Sequence, residues 1–220
     1  MEIRVWVRRS RKARRLSVSL DARTGRPHLV IPFRVTYAEA DQFLQLESKW
    51  LLNKLKELPP RIPFEDGASV PLLGHKCCIK HLPLLPPEVS HEGHELVVGG
   101  KNDEIKHRIT EWLKKLARQK LTELASQKIQ ATEHRSPVVN VRDPTTRWGS
   151  CSKNGRLSFS WRLILAPPSV MDYVVAHEVA HLSEFHHGPN FWLLVKKLCP
   201  GYRKSKHWLT RHGAKLLRYG

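Results

Sequence analysis

Apolar residues alternate with polar ones at Ile3, Val5 and Val7, and again at Leu16, Val18 and Leu20 after a basic turn. Period-two alternation marks a strand with one wet face, so the two runs predict a β-hairpin, with a third strand at residues 28–32. The rhythm then lengthens. Thr36 and Glu39 form a T-x-x-E capping box ahead of Phe43, Leu44, Leu46, Trp50, Leu51 and Leu55, which predicts a helix over 37–57, stopped before Pro59-Pro60. Residues 68–84 read as short β segments around Gly74. Residues 85–102, rich in Pro, Gly and His, read as loop with one short strand at 96–98. A boundary is placed near residue 101, between a β-rich region (1–100) and a second region (101–220).

From Asp103 the pattern becomes a long amphipathic helix reaching about residue 130. Its stripe is Ile105, Ile109, Trp112, Leu113, Leu116, Leu121 and Leu124. Strands are expected at 138–141 and 157–165, flanking the loop Arg147-Trp148-Gly149-Ser150-Cys151-Ser152, with a turn at Asn154-Gly155. After Pro167-Pro168, Ser169 can cap a helix starting at Val170, with Asp172 in its first turn. The element order predicts an α+β fold, a β-rich region with one helix followed by long helix, small sheet and second helix.

Composition narrows the class. The chain has 220 residues with 40% hydrophobic and 26% charged, values of a globular protein rather than a disordered or collagen-like one. No apolar run approaches the roughly 20 residues of a membrane span, and no secretory leader is recognisable at the N-terminus, so no membrane partner is expected. Four cysteines, Cys77, Cys78, Cys151 and Cys199, form no CxxC and no disulfide framework, which fits a reducing cytoplasm. The balance of 38 Lys and Arg against 20 Asp and Glu is +18. Six of the basic residues lie within 8–15 and eight lie after residue 195, where no acid follows. Polyanions are therefore candidate partners, and Trp6, Tyr202 and Trp208 interleave with the basic residues as a nucleic-acid stacking surface would require. A solvated basic face and aromatics in the core account for the same residues equally well.

The strongest chemical signal is His177-Glu178-Val179-Ala180-His181, an HExxH. Residues four apart share a helix face, so both imidazoles can meet one ion while Glu178 reaches its water from the side. Zinc suits this set, since a catalytic zinc takes three protein ligands and keeps one position open. For the third ligand, Glu184 falls on the same face if the helix continues. His187 serves if the chain ends the helix and turns, for which Gly188-Pro189 is available. His187 is favoured, with His186 and Glu184 as fallbacks. Tyr173, one helical turn before His177, reads first as core and second as a substrate contact. Asp172 reads as a cap or as an orienting partner of a metal-bound imidazole. Cys151 reads as a packed thiol, and His75, His81, His91 and His94 as surface residues.

The stretch RWGSCSKNGRLSFSWRLILAPPSVMDYVVAHEVAHLSEFHHGPNFW resembles the YgjP-like, or SprT-like, zinc metallopeptidases in its RWGSCS segment, its D-Y-V-x-x-H-E-x-x-H helix and its following H-x-x-x-F-W. The likeness is strong over 140–195 and looser before it. Gly188 stands where a serine is common and His186 where an asparagine is common, and Glu184 occupies a position that metzincins give to Gly. The resemblance implies a minimal zincin-like domain of backing helix, small sheet and HExxH helix. It also implies one Zn²⁺ per chain on His177, His181 and His187, with Glu178 as general base. Arg147, Trp148 and Ser150 would line the cleft rim, where a strand edge can pair with extended substrate.

The expected function is a zinc-dependent metallohydrolase, foremost a metallopeptidase acting on peptide or protein. Arg147 is the first candidate to hold an oxyanion or a substrate carboxylate. One rival is a metal-dependent hydrolase of nucleotide phosphoanhydrides, using Arg142, Arg147 and Arg162. Another is a basic nucleic-acid-binding module that uses the two cationic termini.

Overall fold

The computed structural model describes residues 4–130, 132 and 138–220, so Ile3 of the first alternation lies outside the described residues. The chain divides into two compact units, Met1–Arg61 and Ile62–Gly220.

The first unit contains β1 (Trp6–Ser10), β2 (Ser17–Asp21), β3 (Arg26–Pro32) and α1 (Tyr37–Glu57). The sheet order is β1-β3-β2, with β3 parallel to β1 and antiparallel to β2. The expected hairpin of the first two runs is therefore replaced by a β2–β3 hairpin, and the basic turn crosses from one sheet edge to the other. Burial explains the order. Leu29 and Ile31 of β3 are nearly sealed from solvent, whereas β1 carries Arg8 and Arg9 and takes an edge, where charge is tolerated. Arg9 is structural, donating to the carbonyls of Phe33 and Val35 at 3.1 Å each and lying 4.5 Å from the Tyr37 ring centre. The capping box forms as expected. Glu39 N–H donates to Thr36 Oγ1 at 3.2 Å, and Thr36 N–H donates to Glu39 Oε2 at 2.8 Å. The Thr36 N–H, and then the Thr36 hydroxyl donating at 2.7 Å, hold the Glu39 carboxyl below its ordinary pKa.

The second unit begins with β4 (Ser69–Leu72), β5 (His75–Leu82), β6 (Val89–Glu92) and β7 (Glu95–Gly99) in the order β4-β5-β7-β6. Leu73 and Gly74 both adopt positive φ, 50° and 87°, making the two-residue turn that joins β4 to β5. Residues 85–102, expected to hold one short strand, hold the antiparallel β6–β7 pair. Polar residues in β6 hid that strand, because its side chains are mostly exposed.

A turn of 3₁₀ helix leads into α2 (Ile105–Ile129). Ile105, Ile109, Leu113, Ala117, Leu121, Ala125 and Ile129 are buried, a stripe at every fourth residue. It packs in one core with Val70, Leu72, Ile79, Leu96 and Val98 of the sheet. This shared core explains why the units divide at Arg61 and Ile62 and not near residue 101: β4–β7 need α2 to cover their apolar face.

Then come β8 (Val139–Arg142), β9 (Gly149–Cys151) and β10 (Leu157–Ser160), in the order β8-β10-β9. Two expectations change here. Part of the predicted 147–152 loop is an edge strand, and the predicted strand 157–165 ends at Ser160, followed by a 3₁₀ turn, Trp161–Leu165. The turn is wholly buried, which gave it the apolar look of a strand. α3 (Pro168–Ala180), α4 (Pro189–Leu198) and α5 (Tyr202–Leu216) complete the chain. α3 starts with proline in its first turn and has no side-chain cap, so Ser169 does not cap it; the Ser169 carbonyl instead accepts from Ser205 Oγ of α5 at 2.9 Å. The result is an α+β domain in which α2 backs α3 and β9 lies across its other side.

Leu113 sits at the middle of the α2 stripe with no exposed surface. Leu113→Ala should lower unfolding free energy by about 2–5 kcal/mol in urea titrations, through lost burial and a residual cavity.

Candidate metal centre

α3 is apolar along almost its whole length, with Val170, Met171, Val174, Val175, Ala176, Val179 and Ala180 all buried. His177 and Glu178 interrupt it. A helix so placed cannot leave polar groups unpaired without cost, so what meets these side chains defines the site.

The helix ends at Ala180 with His181 as its C-cap, and the chain then turns through 182–188. Glu184 therefore does not continue along the ligand face. Its backbone carbonyl instead lies 2.9 Å from His181 Nδ1. A carbonyl can only accept, so Nδ1 carries the hydrogen of that contact and Nε2 is the nitrogen turned toward the other two rings. Gly188 begins the next helix and does not close the previous one. The turn brings His187 back: its Nε2 is 3.1 Å from His177 Nε2 and 3.2 Å from His181 Nε2. His186 lies outside this cluster.

Three ring nitrogens facing one another fit a metal better than a hydrogen-bonded ring. Tetrahedral zinc with nitrogens at ~2.0–2.1 Å requires ligand atoms roughly 3.3 Å apart, close to the observed contacts. Among the described residues, His177, His181 and His187 form the group able to hold an ion. Burial, followed by the neighbouring His181 and His187, pushes His177 down to about 4, keeping it neutral as a ligand must be. His187 is lowered as well, first by burial and then by His181 and the Lys206 ammonium.

Phe191 of α4 is the common floor. It has no exposed surface, and its ring centre lies 4.9, 4.5 and 4.7 Å from those of His177, His181 and His187. Trp192 is next to it, 5.9 Å from His177 and 6.0 Å from His187. The sequence placed Phe191 four residues after His187, in the H-x-x-x-F-W segment of the resemblance, without assigning its ring a role.

Glu178 points to the other side, toward β9. Cys151 N–H hydrogen-bonds its carboxylate, and Arg147 favours its charge, but burial outweighs both and raises it to about 7. The approach is close enough to need glycine. A Cβ on Gly149 would fall 2.6 Å from both Cγ and Oε1 of Glu178. Gly149, expected to supply a turn in a loop, is thus the residue that lets the edge strand lie against the carboxylate.

The predicted rim residues separate. Arg147, Trp148 and Tyr173 line a cavity of about 240 Å³ with Gly149, His177, Glu178 and Leu209. Ser150 lines a neighbouring cavity of about 250 Å³, with Arg142, Arg147 and Ser158 among its other walls. Tyr173 is both buried and a cavity wall, 5.9 Å from the His177 ring; burial, then Glu178, raises its hydroxyl to about 12. The Trp148 ring also packs beside Gly213 of α5. Arg162 is withdrawn from the cleft. It is buried, donates to Asp143 Oδ1 at 2.8 Å, and donates to the carbonyls of Leu216 and Tyr219 at 3.2 and 2.6 Å. Asp172 neither caps α3 nor orients an imidazole. It pairs with Lys128 of α2 at 2.6 Å and accepts from the Cys199 thiol, which burial and this carboxylate raise to about 11. Burial, with Glu178 nearby, also raises Cys151, as suits a packed thiol.

Of the basic termini's aromatics, Trp6 is exposed with Arg26 over its ring, while Tyr202 is buried. No helix among the described residues is long and apolar enough to cross a membrane, and all four cysteines are free thiols.

No curated protein sequence matches the chain. Among solved structures, the metallopeptidase zymogen of Pyrococcus abyssi abylysin is similar at 28% identity, over 46% of this chain and 96% of that one, with a TM-score of 0.37. The family described as "YgjP-like, metallopeptidase domain" matches residues 14–212, which takes in β2, β3 and α1 of the first unit and the histidine cluster of the second. The chain belongs to the YgjP-like metallopeptidase family.

Proposed function

We propose that the protein is a zinc-dependent peptidase in which His177, His181 and His187 hold one zinc ion per chain and Glu178 is the general base. The observation that carries the reading is the convergence of three imidazole nitrogens within 4.8 Å of one another, beside a buried carboxylate on the same helix. Zinc held there supplies Lewis acidity, which polarises a carbonyl and eases deprotonation of water. Glu178 takes the proton from that water and delivers it to the departing amine nitrogen, so no covalent acyl intermediate is needed. Cys151 N–H and Gly149 hold the Glu178 carboxylate in place for both transfers. Arg147, on the cavity wall, is placed to receive negative charge developing on the carbonyl oxygen. The open edge of β9 offers backbone groups to an extended peptide. Free thiols suit work in a reducing compartment such as the cytoplasm.

A second reading, hydrolysis of nucleotide phosphoanhydrides, is favoured by Arg142 and Arg147 lining one cavity beside Gly149, although Arg162 is committed elsewhere. A screen of peptide mixtures and nucleoside triphosphates, comparing zinc-loaded wild type with Glu178→Ala, separates the two reactions. Cleavage confined to the nucleotides would overturn the peptidase reading.

Alanine at His177, His181 or His187 should remove most zinc, measured as metal per chain by mass spectrometry, and activity with it. Full zinc content in the His187 variant would exclude it as a ligand. Glu178→Gln should keep zinc and fold while lowering turnover by roughly 10²–10⁴-fold; turnover within threefold of wild type would reject the base role. Gly149→Ala should also keep zinc, and should lower kcat more than it raises KM, because the added methyl displaces the carboxylate. The same change made in the Glu178→Gln background should have little further effect. A full additional loss there would place the action of Gly149 elsewhere.

A further inference from the structure

A second groove, about 490 Å³, lies along α4 and α5 and is lined by Trp192, Tyr202, Arg203, Lys206, His207 and Thr210. The Trp192 ring joins it to the histidine cluster. Its centre is 6.0 Å from that of His187, and Lys206 Nζ stands 4.4 Å from it. The groove therefore begins where the candidate metal centre ends.

Its chemistry is cationic without an internal counter-charge. No Asp or Glu occurs from residue 185 to the C-terminus. Among the described residues, neither Arg203 nor Lys206 is paired with a carboxylate: Lys206 stands over Trp192 and within electrostatic reach of His177 and His187, and Arg203 meets the ring and hydroxyl of Tyr202. Such cation–π contacts at an exposed site are weaker than a charge-assisted hydrogen bond to a carboxylate in a partly dry groove. An arriving anion can thus recruit both cations. The aromatic faces are less available. Tyr202 is buried, and its ring stacks with those of Tyr173 and Trp192 at centre distances of 6.4 and 5.6 Å, so it presents little surface to a nucleobase. Charge, and not stacking, is what the groove presents.

Successive residues of an extended chain advance roughly 3.3–3.6 Å. A peptide whose reacting carbonyl lies at the histidine cluster would bring a side chain one or two residues away over Trp192. We propose that this groove is a specificity subsite for an acidic side chain, Asp or Glu, one or two residues from the bond that is cut, with Lys206 and Arg203 holding its carboxylate. The inference rests on the peptidase reading.

The test uses zinc-loaded full-length protein and a proteome-derived peptide mixture, with cleavage sites read by mass spectrometry. Wild type should enrich Asp and Glu at one position beside the cut. Arg203→Glu/Lys206→Glu should reverse that preference toward Lys and Arg, with zinc content unchanged. Should the reversal fail to fold, Arg203→Gln/Lys206→Gln should abolish the preference without reversing it. In parallel, fluorescence anisotropy with the Glu178→Gln protein should show a fluorescein-labelled peptide carrying one Glu binding about tenfold tighter than its Gln counterpart, and the Gln pair of substitutions should erase the difference. Cleavage with no acidic preference, or with the same preference in the variants, overturns the subsite and leaves the peptidase reading standing. If wild type cleaves no peptide, both fall. Nucleoside triphosphate binding that disappears in the variants while peptide cleavage keeps its profile would assign the groove to phosphate and overturn the proposal.

Discussion

α3 carries a carboxylate and an imidazole inside an apolar environment, and most of the second unit is arranged around that burial. Val174, Val175, Val179 and Ala180 have almost no exposed surface, and Glu178 is 6% exposed. A buried carboxylate in such a place costs several kcal/mol unless donors reach it. β9 supplies one through Cys151 N–H, and the price in sequence is a glycine at position 149, since any Cβ there would overlap Glu178. On the other side of the helix the imidazoles lean on one aromatic ring, Phe191, which holds three rings from two segments in a single orientation.

Two partly buried ion pairs fix the helices around this arrangement. Lys128 of the backing helix grips Asp172 in the second turn of α3 and also the carbonyl of Leu198 at the end of α4. Arg162 ties Asp143, after β8, to the carbonyls of Leu216 and Tyr219 at the C-terminal end of α5. Removing one partner of such a pair strands the other, whereas exposed pairs such as Lys54–Glu57 contribute little. Both pairs connect elements distant in sequence, so they position α4 and α5, and with them Phe191, Trp192 and Lys206, against α3.

The excess positive charge has two fates. In the first unit, Arg9 satisfies backbone carbonyls and covers Tyr37, which makes part of the basic run architectural. In the second, Arg203 and Lys206 face a groove with no carboxylate of their own. Net charge alone could not distinguish these cases, because it records the number of cations and not which of them already has a partner.

Periodicity and spacing along the chain were sufficient for α1 with its Thr36 cap, for the α2 stripe and for the placing of His177, Glu178 and His181 on one helix. Each depends on contacts within a few residues, which helical geometry and capping chemistry impose locally. His187 was legible as the favoured third candidate, with Glu184 and His186 as fallbacks, and the end of the helix at Ala180 takes Glu184 off the face of His177. The central place of β3, the strand at Val89–Glu92, the edge strand Gly149–Cys151 and the division at Arg61 were not legible, because strand pairing and shared cores depend on which distant surfaces bury one another. The same holds for Gly149, Phe191, Asp172 and Arg162. Their roles come from what lies opposite them in space, and only the tertiary packing brings Glu178, the three imidazoles, Lys128 and the C-terminal carbonyls to them.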